Sequence, residues 1–187
     1  MSIPPHTSDD ARREPAGSER RGLVIPVRPG VGSGPTKLAA FDAALYDAGV
    51  ANRNLIQLSS VIPPGSVVTR AEGRVTAPGG WGDRLYVVMA HARTAQLGDR
   101  LAAGIGWVQD HETGRGLFVE HEGHSIDEVE THIRDSLEAL TATRGVDFGE
   151  VQMQLSTTVC EAPAACALVV AVFEAEPWST RDDPRGS

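Results

Sequence analysis

Residues Asn54–Gly65 read NLIQLSSVIPPG, a strand-like run followed by a strong strand breaker. Its first nine residues are mostly aliphatic, and several are β-branched, as is typical of a strand. The double proline Pro63–Pro64 cannot donate to a sheet ladder, so we expect the strand to end at Ile62. Ser59 and Ser60 interrupt the apolar run just before that break. Taken alone, such a pair predicts a strand end whose hydroxyls bond nearby backbone groups.

Periodic apolar residues on both sides of this stretch predict two helices. Helical spacing over residues 38–48 predicts a first helix, with Thr36 as its N-cap. Ser125 and Glu128 form a capping box, which predicts the start of a second, amphipathic helix that ends before Gly145.

The remaining apolar runs predict strands in a layered α+β sandwich. They are Leu23–Val27, Leu85–Ala90, Ala102–Val108, Gly116–Glu120, Val151–Val159 and Ala164–Phe173. The glycine-rich residues Gly30–Gly34 follow the first run and are predicted to form a plain strand-to-helix turn. Their spacing matches neither the phosphate-loop nor the dinucleotide-binding pattern. Two helices that do not strictly alternate with five to seven strands favour the sandwich architecture.

Composition predicts one folded domain between two irregular ends. The chain has 187 residues, 41% of them hydrophobic, which suffices for one core. We predict that residues 1–21 are a disordered leader and that residues 22–174 form the domain. The Pro- and charge-rich residues 175–187 are predicted to be a flexible tail. Because no apolar run has membrane-spanning length and the first 22 residues lack an apolar core, we expect neither a membrane-spanning helix nor a signal peptide. With only two cysteines, the protein is expected to be a reduced cytoplasmic chain.

Charge and residue spacing exclude several classes of function. Seventeen basic and 25 acidic residues give a net charge of −8, which disfavours a nucleic-acid partner and is compatible with a cationic ligand. Lys37 is the single lysine, so lysine Schiff-base chemistry would depend on that residue alone. We expect no metal site, because the histidines lack a ligand spacing such as His-Glu-x-x-His; they include His111, His121, His124 and His132.

Five strings, in this order and at approximately the family's spacing, resemble the pyruvoyl-dependent arginine decarboxylases. They are Phe41–Leu45 (FDAAL), Asp47–Gly49 (DAG), Asn54–Ile56 (NLI), Ser59–Pro64 (SSVIPP) and Gly116–Gly123 (GLFVEHEG). The resemblance covers about residues 23–174, nearly the whole predicted domain.

This resemblance implies an inactive precursor that cuts itself between Ser59 and Ser60. In such a precursor, Ser60 Oγ attacks the carbonyl of Ser59 and replaces an amide by an ester through an oxyanion. Asn54 matches the family position that donates to this oxyanion. Elimination and hydrolysis then convert Ser60 into a covalent pyruvoyl cofactor, and neither pyridoxal phosphate nor a metal is implied.

The resemblance also implies the roles of the substrate-contacting residues. The pyruvoyl carbonyl forms a Schiff base with the substrate amine and acts as an electron sink. Glu120 matches the family's proton donor, while Asp42 and Ser59 match substrate-binding positions. A guanidinium favours a planar carboxylate partner such as Asp42. Glu122 lies on the same face if the strand continues, so Glu120 and Glu122 remain alternatives for the proton donor.

The implied protein is a four-layer α-β-β-α sandwich that assembles as a homotrimer of cleaved protomers. It would convert L-arginine into agmatine and CO₂, as in polyamine biosynthesis, without nucleic-acid or membrane partners. Two alternatives stay open. One is a pyruvoyl enzyme for another amino acid, since His121 stands where tyrosine is common in the family. The other is an uncleaved, non-catalytic trimeric binding protein on the same fold.

Ser60→Ala tests the cleavage site directly. The substitution removes the attacking oxygen, so the chain is expected to stay full-length and to decarboxylate nothing. Denaturing electrophoresis and mass spectrometry measure the outcome. Two fragments of the ordinary sizes from this variant would refute the assigned bond.

Overall fold

The computed structural model describes residues 22–71 and 76–178, which form two helices and nine strands. The helices are α1 (Lys37–Asp47) and α2 (Ile126–Ala142). The strands are β1 (Val24–Gly34), β2 (Asn54–Gln57), β3 (Val61–Ile62), β4 (Val67–Arg70), β5 (Arg84–Thr94), β6 (Arg100–Gln109), β7 (Gly116–Gly123), β8 (Gln152–Val159) and β9 (Ala164–Glu176). The predicted leader, residues 1–21, lies outside the described residues.

The strands form two separate sheets. The first has the order β2-β5-β9-β1-β4, in which β9 runs antiparallel to both of its neighbours and the two edge pairs are parallel. The second has the order β3-β7-β6-β8 and is antiparallel throughout. The α+β class predicted from the sequence is therefore confirmed.

Three apolar clusters hold these elements together. One contains side chains from both sheets, among them Val88, Ile105 and Phe118. A second joins α1 to the first sheet, and a third joins α2 to the second sheet. Strand β9 contributes alternate residues to the first and second clusters. Because both of its faces are buried, its sequence is a continuous apolar run rather than an alternating one.

Both predicted helix starts are confirmed. The hydroxyl of Thr36 accepts a hydrogen bond from the backbone N–H of Ala39 at 3.1 Å. The hydroxyl of Ser125 accepts one from the N–H of Glu128 at 3.2 Å. The Glu128 carboxylate in turn accepts from the N–H of His124 at 2.9 Å. The Thr36 and Ser125 hydroxyls each satisfy a donor that the first helical turn leaves unpaired.

The turn predicted at Gly30–Gly34 is wrong, because these residues continue β1. A Cβ atom at Gly30 would overlap the carbonyl oxygen of Ala44, and one at Gly32 would overlap that of Ala40. The glycines are therefore required for α1 to lie directly on the strand. Close approach of two backbones, and not a turn, explains this composition.

Two predicted boundaries also differ from the structure. The single strand expected up to Ile62 is divided into β2 and β3 at residues 58–60. The first residues of the tail expected from residue 175 are ordered, because β9 continues to Glu176 and Trp178 Nε1 donates to the carbonyl of Gly82 at 2.8 Å. Residues 179–187 of that predicted tail lie outside the described part of the chain.

Gly32→Ala tests the close approach of α1 to β1. The added methyl must displace helix backbone, so we expect the free energy of unfolding to fall by about 1–3 kcal/mol. Gly80→Ala is the matched control, since its Cβ would meet Asp83 Oδ2 at an ordinary 3.5 Å. Urea titration monitored by circular dichroism measures both variants. Equal stabilities would contradict the packing role of Gly32.

Candidate active site

The chain passes from the first sheet to the second at residues 58–60. On one side, the backbone N–H of Leu58 donates to the carbonyl of Val87 in β5 at 2.8 Å. On the other, the N–H of Phe118 in β7 donates to the carbonyl of Ser60 at 2.8 Å. The Ser59–Ser60 peptide therefore connects one residue that is hydrogen-bonded to the first sheet with one that is hydrogen-bonded to the second.

Ser60 adopts a left-handed backbone conformation with φ of 54°. In the described residues the only other non-glycine residue with positive φ is Asn52, a residue type that tolerates this region. For serine the conformation costs roughly 1–2 kcal/mol, because Cβ approaches the following carbonyl oxygen. Backbone strain is thus concentrated at the residue whose hydroxyl is the expected nucleophile.

The Ser60 hydroxyl donates a hydrogen bond to Glu120 Oε1. Glu120 lies on β7, two residues beyond Phe118, and therefore points to the same side of the sheet as that buried ring. Both Ser60 and Glu120 are half-buried. A carboxylate that accepts the O–H of a serine is placed to take its proton as a general base.

Glu122 shares this face of β7 but is exposed. Strand β7 continues to Gly123, which was the condition for Glu122 to be an alternative proton donor. Among the described contacts, the Ser60 hydroxyl is joined to Glu120 and not to Glu122. The geometry therefore favours Glu120 as the acidic partner of Ser60.

Asn54 occupies the opposite end of β2. Its backbone N–H donates to the carbonyl of Asp83 at 2.8 Å, and its side-chain amide donates to the carbonyl of Gly82 at 2.5 Å. No contact of the described residues joins Asn54 to Ser59 or Ser60. Within one protomer the structure does not bring this candidate oxyanion donor to the peptide bond.

Asp42 and Ser59 are both exposed. Asp42 lies in the middle of α1, next to Phe41, whose ring packs edge to face against the imidazole of His91 with centroids 5.1 Å apart. The guanidinium carbon of Arg93 lies 4.7 Å from the centre of the same Phe41 ring. Phe41 of α1 therefore packs against His91 and Arg93 of β5, and no contact of the described residues joins Asp42 to these two side chains.

Sequence reasoning missed His91 because no motif contains it. Burial lowers the pKa of this imidazole, the charge of Arg93 lowers it further, and Glu122 acts in the opposite direction. The position could have been suspected only from the strand pattern. His91 and Arg93 are polar residues at alternate positions that follow the apolar run Val87–Ala90 of β5.

His121 faces away from the Ser60–Glu120 pair, towards α2. Its Nε2 lies 2.8 Å from Ser136 Oγ, and its ring centre lies 5.6 Å from that of His132. Burial lowers the pKa of His121, and the neighbouring His132 lowers it further. In the part of the chain that the structure describes, no group of three or more His, Cys, Asp or Glu residues is arranged to hold a metal ion.

Known proteins resemble this chain over almost all of the described fold. Residues 25–176 match the family model described as pyruvoyl-dependent arginine decarboxylase. A protein of that name from Halobacterium salinarum is 36% identical over 148 residues, which cover 77% of this chain and 89% of the relative. Another from Thermococcus kodakarensis is 34% identical over 142 residues, with coverages of 75% and 88%. The match contains both helices and the Ser60–Glu120 pair.

Glu120→Gln tests the proton acceptor. An amide cannot take the Ser60 proton, so we expect self-cleavage to slow on the order of a hundredfold. The fraction of cleaved chain, followed over time by denaturing electrophoresis, is the measurement. Glu122→Gln is the matched control and should cleave at the ordinary rate. If Glu122→Gln cleaved itself more slowly than Glu120→Gln, the proton acceptor would be Glu122 and not Glu120.

Proposed function

The chain belongs to the pyruvoyl-dependent arginine decarboxylase family, and from this premise we propose that it converts L-arginine into agmatine and CO₂ after cutting itself between Ser59 and Ser60. One observation carries the proposal. Ser60 has a strained backbone at the crossing between the sheets, and its hydroxyl is bonded to the carboxylate of Glu120. This arrangement suits an attack on the preceding peptide bond.

In the cleavage step Glu120 takes the Oγ proton while Oγ attacks the carbonyl carbon of Ser59. The new C–O bond forms, the C–N bond to Ser60 breaks, and the proton passes to the released nitrogen. The hydrogen bond from Phe118 holds the Ser60 carbonyl in place during this exchange. Cleavage also frees the Ser60 backbone from its left-handed conformation, which favours the forward direction.

We assign stabilisation of the oxyanion, which forms on the Ser59 carbonyl oxygen in this step, to the side-chain amide of Asn54. An asparagine amide carries two N–H donors, and the bond to Gly82 uses one of them and fixes the amide's orientation. The second donor is the one that would stabilise the oxyanion. Because Asn54 stands apart from Ser59 within a protomer, this assignment requires contact between protomers, which a homotrimer would supply.

The residues around Ser60 fit the pyruvoyl group that would replace it. Such a group supplies a carbonyl that withdraws electrons from the substrate as CO₂ leaves. Glu120, in its protonated form, would then donate a proton to the α-carbon from which CO₂ has left. The buried ring of Phe118 lies on the same side of β7 and limits the access of water to that carboxyl.

Asp42 is the proposed partner of the substrate guanidinium, with Ser59 contributing a second polar contact. Both side chains are exposed in the protomer and therefore accessible to a ligand. The planar fork of a guanidinium matches a carboxylate in two parallel hydrogen bonds. The net charge of −8 also favours the approach of a cationic amino acid.

The same proposal includes a four-layer α-β-β-α arrangement, a homotrimer and a cytoplasmic location. The layer order is supported by the three apolar clusters, one between the sheets and one under each helix. Cys160 and Cys166 are free and belong to clusters on opposite faces of the first sheet, as suits a reducing compartment. Among the described residues, no helix has the length and apolar character needed to cross a membrane.

Intact-mass spectrometry of the purified protein tests the proposal. We expect one fragment ending at Ser59 and a larger one whose first residue has the mass of a pyruvoyl group. Incubation with arginine should release agmatine and CO₂. A single intact chain of 19.8 kDa without decarboxylase activity would instead support the alternative of a non-catalytic binding protein.

Asp42→Asn tests substrate specificity. The change keeps the shape of the side chain and removes its charge, so kcat/KM for arginine should fall thirtyfold to several-thousandfold, equivalent to about 2–5 kcal/mol. For the uncharged analogue citrulline, kcat/KM should change little. Asp47→Asn on the same helix is the control. Equal losses for arginine and citrulline would mean that Asp42 only supports the site structurally.

A further inference from the structure

Trp178 follows the end of β9 and bonds to the segment that leads into β5. Its Nε1 donates to the carbonyl of Gly82 at 2.8 Å, although the residue is 60% exposed. The family match ends at residue 176, and this part of the chain was predicted from its sequence to be a flexible tail. The contact is therefore a feature of this chain to which the family resemblance assigns no role.

A set of polar contacts holds the indole of Trp178 in this position. The guanidinium carbon of Arg84 lies 4.8 Å from the centre of the Trp178 ring. Nη2 of Arg84 donates to the carbonyl of Pro177 at 2.9 Å and lies 3.0 Å from Glu176 Oε1. The other carboxylate oxygen of Glu176 accepts the hydroxyl of Tyr86 at 2.8 Å. The end of β9 is therefore held against the start of β5, and a cation–π contact orients the indole.

The carbonyl that Trp178 binds also accepts the side-chain amide of Asn54. Nδ2 of Asn54 lies 2.5 Å from the Gly82 oxygen. The backbone N–H of Asn54 donates to the next carbonyl, that of Asp83, at 2.8 Å. A carbonyl oxygen has two lone pairs, so the indole and the amide together occupy both acceptor directions of Gly82. The bonded N–H of the Asn54 amide is then confined to one of these directions.

We infer that Trp178 is a positioning residue for self-cleavage, because it fixes the direction of the second N–H of the Asn54 amide. The two N–H groups of an amide lie in one plane, so the bond of one to Gly82 orients the other. Without the indole, the Gly82 carbonyl offers a second lone pair to which the bonded N–H can move. An oxyanion donor loses effect when its direction is no longer preorganised. This inference rests on the proposed function, in which Asn54 donates to the oxyanion.

The test compares the self-cleavage of Trp178→Phe with that of the wild-type chain. Phenylalanine keeps an aromatic ring beside Arg84 and removes the indole N–H. The rate of cleavage, followed by denaturing electrophoresis, should fall about five- to tenfold, the scale of one hydrogen bond. Trp81→Phe is the matched control, because Trp81 directly precedes Gly82, is 83% exposed and makes no side-chain hydrogen bond among the described residues. It should cleave at the wild-type rate.

A double-mutant cycle separates this role from a general loss of stability. Asn54→Ala removes the proposed oxyanion donor and should slow cleavage by about a hundredfold or more. If Trp178 acts through Asn54, adding Trp178→Phe to Asn54→Ala should slow cleavage no further, since the effects of coupled residues are not additive. Effects that multiply would mean that Trp178 acts independently of Asn54, and would overturn the inference.

A second measurement does not depend on cleavage. The Ser60→Ala chain is expected to stay uncut, so NMR can follow the side-chain amide of Asn54 in it, whose signals are those lost on Asn54→Ala. These signals should shift in Trp178→Phe and keep their positions in Trp81→Phe. Unmoved signals, or wild-type cleavage of Trp178→Phe, would overturn this inference alone. Wild-type cleavage of Asn54→Ala would overturn the oxyanion role in the proposed function, and this inference with it.

Discussion

The structure depends on how the chain is held where it passes between the two sheets. Hydrogen bonds fix Leu58 to β5 and Ser60 to β7, and both partner strands are long and packed into the central apolar cluster. The short connection must span a separation set by that core. As a result, Ser60 is held at a positive φ, because the favourable packing of the two sheets outweighs the strain of one residue.

The same crossing places a nucleophile against a carboxylate. Strand alternation directs Glu120 to the inter-sheet side of β7, where Ser60 arrives from the first sheet. Two elements remote in sequence thus meet at one hydrogen bond. In the proposed reaction, one carboxyl group takes a proton from Ser60 during cleavage and later gives a proton to the substrate, so a single side chain would serve both stages.

The packing of α1 on β1 sets the position of the helix that carries Asp42, the proposed partner of the substrate guanidinium. Glycines on β1 let the helix approach closely, which brings Phe41 against His91. A bulkier strand would lift the helix and separate these groups. The proposed specificity site therefore depends on small residues that carry no functional group of their own.

The α+β class, the two helix starts at Thr36 and Ser125, and the family could be predicted from the sequence, because caps, periodicity and short motifs are local features. It also singled out Ser60 and Glu120, through the strings that resemble the family. The folded chain was needed to show that Gly30–Gly34 is strand, that the strand is interrupted at Ser60, and that His91 packs against Phe41. These features arise from contacts between residues far apart in the chain, which no local pattern records.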